Sequence, residues 1–398
     1  MFRRRIAELG FGISELITLF IISENRKSVF RNLLNMTEKI YNISIAGCSK
    51  VAHLHAKAIG NISNARLSGV WNRTYAKAED FAAQYKTKPF KDVSAMVKEN
   101  KSDLVIVCNA HPYHKQPTVE AAMAGANVLV EKPLASGLKD CDDIINACKT
   151  NRVKLGVISQ RRWYEPVKRV KSAILDGKIG NPVLGVITML GWRDKAYYDS
   201  DSWRGTWESE GGGVLVNQSP HQLDILLWYM GEIDEVYGIW RNLNHPYIEV
   251  DDTAAAIIKF KSGAIGNILV SNSQKPGLYG KVHVHGDNGA SIGVQTDGGA
   301  MFIAGRTGIT EPPVNDLWTV PGEENLLSQW IIEDTKIFNS FDATIRYMQF
   351  QIEDFLHALD KGIEPGVTGI DGRRTVELFT AIYRSSRENR PVKFPLEP

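Results

Sequence analysis

The sequence predicts an α/β protein with two parts. The first is an N-terminal doubly wound parallel sheet, and the second is a C-terminal α/β domain with a large, mostly antiparallel open sheet. Three observations predict this. Short apolar strands alternate with helical patterns from residue 41 to about 157. Beyond that point the strands are separated by Gly-containing turns. A glycine turn also sits between the first strand and the first helix.

In the first part, "YNISIAG" reads as a buried strand and "KVAHLHAKAIG" as a helix ending at Gly60. "ARLSGVWN" and "TYAKAEDFAAQY" repeat the pair, followed by the strand "SDLVIVCNA", the helix "HKQPTVEAAMAGA" and the strand "NVLVEKP". "GLKDCDDIINACKTN" is helical and "VKLGVIS" is the last strand. Apolar strands alternating with helices imply a parallel sheet covered on both faces, and right-handed crossovers make it doubly wound. In the second part, one helix ("EPVKRVKSAILDGKIG") precedes the strands "PVLGVITMLGW", "EVYGIWRNL", "DTAAAIIKFKSGAIGNILVSNSQ" and "KVHVHGDNGASIGV". "KSGA" between apolar runs signals a hairpin. Residues 300–340 show no clear pattern and are expected to include a long loop, and two late helices close the chain.

The expected organisation is an N-terminal extension over 1–35, a dinucleotide-binding domain over 36–157, and a substrate-binding and oligomerisation domain over 158–398. The extension carries six Lys/Arg against three Glu and an apolar stretch from Leu9 to Ile22 broken by Glu15, which is short for a membrane span. We read Met36 as the functional start and the extension as poorly ordered or upstream of it. The overall net charge of +2 is too small to suggest a nucleic-acid partner, and none is expected. The four cysteines, Cys48, Cys108, Cys141 and Cys148, form no metal-site or disulfide spacing, so we expect a cytoplasmic protein with reduced thiols and no metal.

"ISIAGCSKVAHLHA" stands where a G-x-G-x-x-G phosphate turn belongs. Its three positions are Gly47, Ser49 and Ala52, with Lys50 and Val51 completing the turn. Gly47 supplies the tight bend, and the Ser49 hydroxyl can meet a phosphate at the helix N-terminus. At the end of the second strand an Asp would select NAD. Here Asn72 is neutral and Arg73 can pair with a 2′-phosphate, which tilts the cofactor choice from NAD towards NADP.

The segments "IAGCSKVAHLHAKAI", "SDLVIVCNAHPYHKQPTVEAAMAGANVLVEKPLA" and "EGGGVLVNQSPHQLDILLWYMG" resemble the glucose-fructose oxidoreductase / inositol dehydrogenase (Gfo/Idh/MocA) family. Glu249-Val250-Asp251-Asp252-Thr253 and the ending "DGRRTVELFTAIYRSSRENRPVKFP" extend the likeness over nearly all of 36–398. The resemblance implies a Rossmann domain joined to an α/β domain whose open sheet forms a homodimer or homotetramer. It also implies hydride transfer between nicotinamide and a secondary alcohol of a sugar, sugar derivative or cyclitol. Glu131-Lys132-Pro133 is its most specific piece. It places Lys132 between nicotinamide and substrate hydroxyl, where an ammonium stabilises the charge that develops on oxygen. Asn109, Ala110, His114, Glu131 and Gln160 are further candidate cofactor contacts.

In the third segment, Ser219 reads as a helix N-cap, with Pro220 at the first position and Gln222 closing a capping box. His221 is the candidate general base, and Asp224, one turn on, can orient it. The family commonly has Asp four residues before this His, whereas here the residue is Asn217, which can hold a hydroxyl but not take a proton. The preceding "GWRDKAYYDSDSWRGTWESE" offers Trp192, Arg193, Tyr198 and Arg204 as substrate contacts, and "SQRRW" offers Arg161 or Arg162. Two rival readings are a non-catalytic dinucleotide sensor and an NAD-dependent glycoside hydrolase. The second resembles a Tyr-Pro-Thr-His pattern from which "NQSPH" departs.

Overall fold

The computed structural model describes residues 39–297 and 311–397; the expected extension over 1–35 and the start at Met36 lie outside them. β1 (Tyr41–Ala46), α1 (Lys50–Gly60), β2 (Ala65–Trp71) and α2 (Tyr75–Tyr85) follow the expected alternation. Next come β3 (Pro89–Phe90) and α3 (Val93–Asn100), which the sequence reading passed over. α3 is short, and its start is fixed by the Asp92 side chain accepting from the Ala95 amide. β4 (Leu104–Val107), α4 (Lys115–Met123), β5 (Asn127–Val130), α5 (Leu138–Thr150) and β6 (Leu155–Val157) complete the unit. The six strands run in the order β3-β2-β1-β4-β5-β6, and all are parallel. The order reverses between β1 and β4, which opens a crevice at their carboxyl ends.

After α6 (Glu165–Leu175) come β7 (Pro182–Leu190), the single-turn α7 (Lys195–Tyr198), and α8 (Pro220–Met230). β8 (Ile233–Arg241), β9 (Thr253–Phe260), β10 (Ile265–Ser271), β11 (Tyr279–Gly286), β12 (Ser291–Asp297) and β13 (Val314–Trp318) follow. The region expected to be a long loop thus contains β13 and α9 (Leu326–Phe338), while residues 298–310 lie outside the described set. Trp318 is the anchor there: it pairs with Ile292 and stacks edge-on against Trp330 of α9. α10 (Ala343–Lys361), α11 (Gly369–Glu388) and β14 (Val392–Lys393) end the chain. The eight-stranded sheet is ordered β13-β12-β11-β7-β10-β9-β8-β14, and its β7–β10 pair is parallel among otherwise antiparallel neighbours.

The second sheet is one-sided. Ala254, Ala256, Ile258, Ile268, Val270, Val282 and Val284 are buried against helices, while Tyr237, Ile239, Ile257, Ile265 and Leu269 stand exposed on the other face. The two late helices part: α11 packs on β8 of this sheet, whereas α10 leaves it. α10 packs on α1, and Phe355 joins Ile43 and Ile45 in one apolar cluster. Gln351 receives the Ser159 amide and donates to the Val157 carbonyl, so the C-terminal helices tie both sheets together.

A buried ion pair locks the junction. Arg162 grips Asp224 of α8 bidentately, at 2.8 and 2.6 Å, and the Ser159 hydroxyl donates to the same carboxylate. Arg162 also reaches Asp371 and the Gly366 carbonyl. Removing Asp224 leaves the buried guanidinium with only the longer, partly exposed contact to Asp371, and breaking a buried pair of this kind costs ~3–5 kcal/mol. Asp224→Ala should therefore lower unfolding free energy by about that much, read from the shift in denaturation midpoint. A change below about 1 kcal/mol would contradict this reading of the junction.

Candidate active site

The turn after β1 is shaped by backbone constraint. Gly47 has φ +106°, and an added Cβ would come within 2.5 Å of the Asn109 amide nitrogen, so only glycine fits. The Asn72 Oδ1 accepts from the Cys48 amide at 3.0 Å, and its Nδ2 donates to the Thr74 carbonyl. Asn72 therefore spends its amide holding the turn. Arg73 is exposed, and its guanidinium lies 4.1 Å from the centre of the Tyr113 ring. Ser49 caps α1 by position but makes no capping bond, and its Oγ is buried without a partner among the described residues. Lys50 is exposed at the helix start, and Val51 is half-buried beside it.

Two more polar atoms are orphaned at the same edge of the parallel sheet: Asn109 Oδ1 after β4 and Gln160 Oε1 after β6. Buried acceptors and hydroxyls without partners are rare, and a ligand is one way to satisfy them. Ser49, Asn109 and Gln160, with the half-buried Ala110, thus fit a dinucleotide laid across the switch point. His114 does not fit that role. Its Nδ1 faces the Pro133 and Leu134 carbonyls and its Nε2 faces the Asn109 carbonyl, so burial has turned it into a clamp between two loops.

Glu131 and Lys132 follow β5. Glu131 is bound by His55 Nε2 at 2.8 Å and by the Lys132 amide, so its side chain braces α1. Burial pushes this carboxyl up, but the His55 hydrogen bond and the neighbouring Lys132 outweigh it and hold it below the usual range. Lys132 Nζ donates to the main-chain carbonyl of Asn217 at 2.8 Å. Burial, with Arg161, Arg204 and Arg193 nearby, lowers the Lys132 amine to about 8 against the partial compensation of Glu131.

The chain from Gly211 to Ser219 departs from the expected cap. Val214–Gln218 forms a π-helical turn that runs directly into α8, leaving Ser219 in a helical conformation. The Ser219 hydroxyl therefore donates back to the Leu215 carbonyl, and no capping box forms. Gln222 instead donates to Thr296 and Asp297 of β12. The expected His221–Asp224 pair is also absent, because Arg162 and Ser159 occupy the Asp224 carboxylate. His221 is buried, with Nδ1 unpartnered among the described residues. Burial, then Arg161 and Lys132, push its imidazole well below the usual range, so it is neutral at pH 7. His221 and Lys132 line one small cavity.

Asn217 connects to residues that sequence reasoning missed. Its Nδ2 donates to Tyr197 Oη at 3.1 Å and to Glu210 Oε1 at 2.5 Å. Tyr197 Oη also receives Gln218 Nε2 and Arg204 Nη1. The guanidinium carbons of Arg193 and Arg204 lie 5.3 and 4.3 Å from the Tyr197 ring centre. Arg193 is 6% exposed and, among the described residues, faces no carboxylate within ion-pair distance, whereas Arg161 is held by Asp297 at 2.6 Å. Tyr198 packs edge-on against the Tyr197 ring and shares Asn272, which donates to both Tyr198 Oη and Gln218 Oε1. The Trp192 ring packs against His245 and Lys275, and its main-chain carbonyl accepts from Arg193 Nη1 at 2.8 Å. The usable signal for Glu210 and Tyr197 was position: one immediately precedes the glycine run, and the other adjoins the tyrosine that was chosen.

Comparison with known proteins identifies the family. Residues 41–159 match the family described as "Oxidoreductase family, NAD-binding Rossmann fold", and residues 167–292 match "GFO/IDH/MocA C-terminal domain". A myo-inositol 2-dehydrogenase of Thermotoga maritima is 26% identical over 362 residues, 88% of this chain and 98% of that one. A D-apiose dehydrogenase of Paraburkholderia graminis is 23% identical over 90% of each chain. The crystal structure of the WlbA dehydrogenase from Bordetella pertussis, in complex with NADH and UDP-GlcNAcA, is 26% identical. It superposes with a TM-score of 0.79 over 91% of this chain and all of that one. Both halves carry the same signature, and the chain belongs to the GFO/IDH/MocA family of NAD(P)-dependent oxidoreductases.

Proposed function

We propose that the protein is a dehydrogenase acting on a secondary alcohol or ketone of a sugar, sugar derivative or cyclitol. The carrying observation is the buried Lys132 amine, lowered to about 8 and set at the edge where Ser49, Asn109 and Gln160 leave polar atoms unpaired. A nicotinamide bound there supplies the hydride acceptor, or the donor in the reverse direction. Lys132 Nζ holds or takes the proton of the reacting hydroxyl and stabilises negative charge on its oxygen. The neutral His221 imidazole can accept a hydrogen bond from a second hydroxyl without adding charge to an already cationic site. Arg193, buried with no carboxylate within ion-pair distance among the described residues, favours an acidic sugar derivative, since an anion would neutralise it. The relatives named for inositol and apiose, and the neighbour holding UDP-GlcNAcA, support the same substrate class.

Assay with nicotinamide cofactors across neutral sugars, cyclitols and uronic acids tests this reading. Lys132→Met should cut turnover by ~10²–10⁴-fold with the circular dichroism spectrum and melting point retained. Turnover within a factor of about two of the parent would sink the assignment.

For the cofactor, Asn72 and the exposed Arg73 favour acceptance of NADP, because no carboxylate ends β2 to repel a 2′-phosphate. Arg73→Ala should weaken NADPH binding by about tenfold, the worth of one charge-assisted contact, and leave NADH binding as it was. Equal loss for both cofactors would place Arg73 outside phosphate recognition.

The exposed face of the second sheet supports self-association as a homodimer or homotetramer. Tyr237 and Ile257 are directly paired across β8 and β9, and Ile239, Ile265 and Leu269 extend the same patch. Light scattering should report an oligomer that Ile257→Lys with Ile265→Lys converts to monomer. A parent protein that is monomeric at micromolar concentration would refute this.

A further inference from the structure

Glu210 is among the most deeply buried carboxylates near the cleft, at 1% exposure, and no role above uses it. It is held at both ends of its residue. Oε2 accepts from the Gly205 amide at 2.6 Å, and its main-chain carbonyl faces His111 Nε2 at 2.5 Å. Its remaining oxygen, Oε1, meets the Asn217 amide nitrogen. Arg204, Asp251, Tyr197, Tyr198, Tyr383 and His111 are the charged or titratable groups around it.

A carboxylate accepts and cannot donate, so it forces the amide of Asn217 to present nitrogen to it. The second N–H goes to Tyr197, whose oxygen lies on the same side. Both amide hydrogens are then committed. Oδ1 is the one polar atom of the side chain with no protein partner among the described residues. Asn217 is only half-buried, and Oδ1 is not among the polar atoms sealed from solvent. The same residue's main-chain carbonyl holds the Lys132 ammonium. Asn217 therefore offers two oxygens, one to Lys132 and one to whatever hydroxyl lies beside it.

We propose that Glu210 is a positioning residue that makes Asn217 an obligate hydrogen-bond acceptor for the substrate hydroxyl. Glu210 and Asn217 act as a matched pair, and an aspartate at 217 is incompatible with a glutamate at 210. Two carboxylates at the present 2.5 Å separation cannot both ionise and would share one proton. Moving the amide to 210 and the carboxylate to 217 restores one charge and one amide, with the acceptor still facing the substrate. Protonating Glu210 turns it into a donor and releases the amide, so turnover falls as pH drops through its titration; burial sets that near neutrality, at about 7.

The inference rests on the dehydrogenase reading, so its test carries one arm that needs no turnover. Asn217→Asp, Glu210→Gln and the double variant are compared for kcat, KM and pH profile, and for melting temperature between pH 6 and pH 9. We expect each single variant to lose at least tenfold in kcat/KM and the double variant to recover to within about threefold of the parent. The acidic limb near pH 7 should move upward in Asn217→Asp and vanish in Glu210→Gln. Asn217→Asp alone should melt progressively lower than the parent as pH rises from 6 to 9, as the shared proton leaves, and the double variant should not. Losses that simply multiply in the double variant, together with a parent-like pH dependence of melting in Asn217→Asp, would overturn the pairing. If the parent transfers no hydride, the dehydrogenase reading fails, and the melting series alone still decides whether 210 and 217 are coupled. If Glu210→Gln does not fold, Asn217→Asp decides by the same melting series.

Discussion

The hydrogen bond from Lys132 Nζ to the Asn217 carbonyl spans 85 residues and brings the two halves of the molecule to one point. It needs the end of β5 in the parallel sheet and the π-helical turn ahead of α8 to meet. The rest of the architecture makes that meeting possible. α10 and α11 pack back across both units, and the Arg162–Asp224 pair seats α8 against the end of β6. A buried ammonium held by a neutral carbonyl is expensive, and the cost appears as a depressed proton affinity. That depression is what makes the amine chemically useful at neutral pH.

Burial explains the other features of the site in the same terms. His221 is pushed to its neutral form by burial and by two nearby cations, so it brings no further charge. Arg193 keeps a guanidinium with no carboxylate in ion-pair contact among the described residues, which leaves an anionic group as its natural complement. Glu210 carries the opposite charge but is committed to the Gly205 amide and to Asn217. The cleft thus gathers Lys132, Arg193 and Arg204 near Asn217, with the Glu210 carboxylate behind it.

Much of this was legible in the sequence because it is local. The apolar strands of the first sheet, the turn at Gly47 and the Glu131-Lys132-Pro133 segment each depend on neighbours within a few residues. The errors came where a distant partner overrode a local pattern. Ser219 and Gln222 have capping-box spacing, but the preceding π-helical turn already supplies the helix, and Gln222 is drawn to Asp297. Asp224 lies one turn from His221, yet Arg162, sixty-two positions away, claims it. His114 looked like a cofactor contact and is consumed by three backbone carbonyls. Tyr197 was passed over for Tyr198 because a single-turn helix fixes which of the two faces the cleft, and no periodicity reports that.

Lys132 is an amine poised near neutrality by burial against the Asn217 carbonyl. Its ionisation can be read directly from the pH dependence of its acylation rate, followed by peptide mass spectrometry on the folded protein. A midpoint near 8 is the predicted result. A midpoint at the ordinary lysine value, about 10.5, would contradict the account.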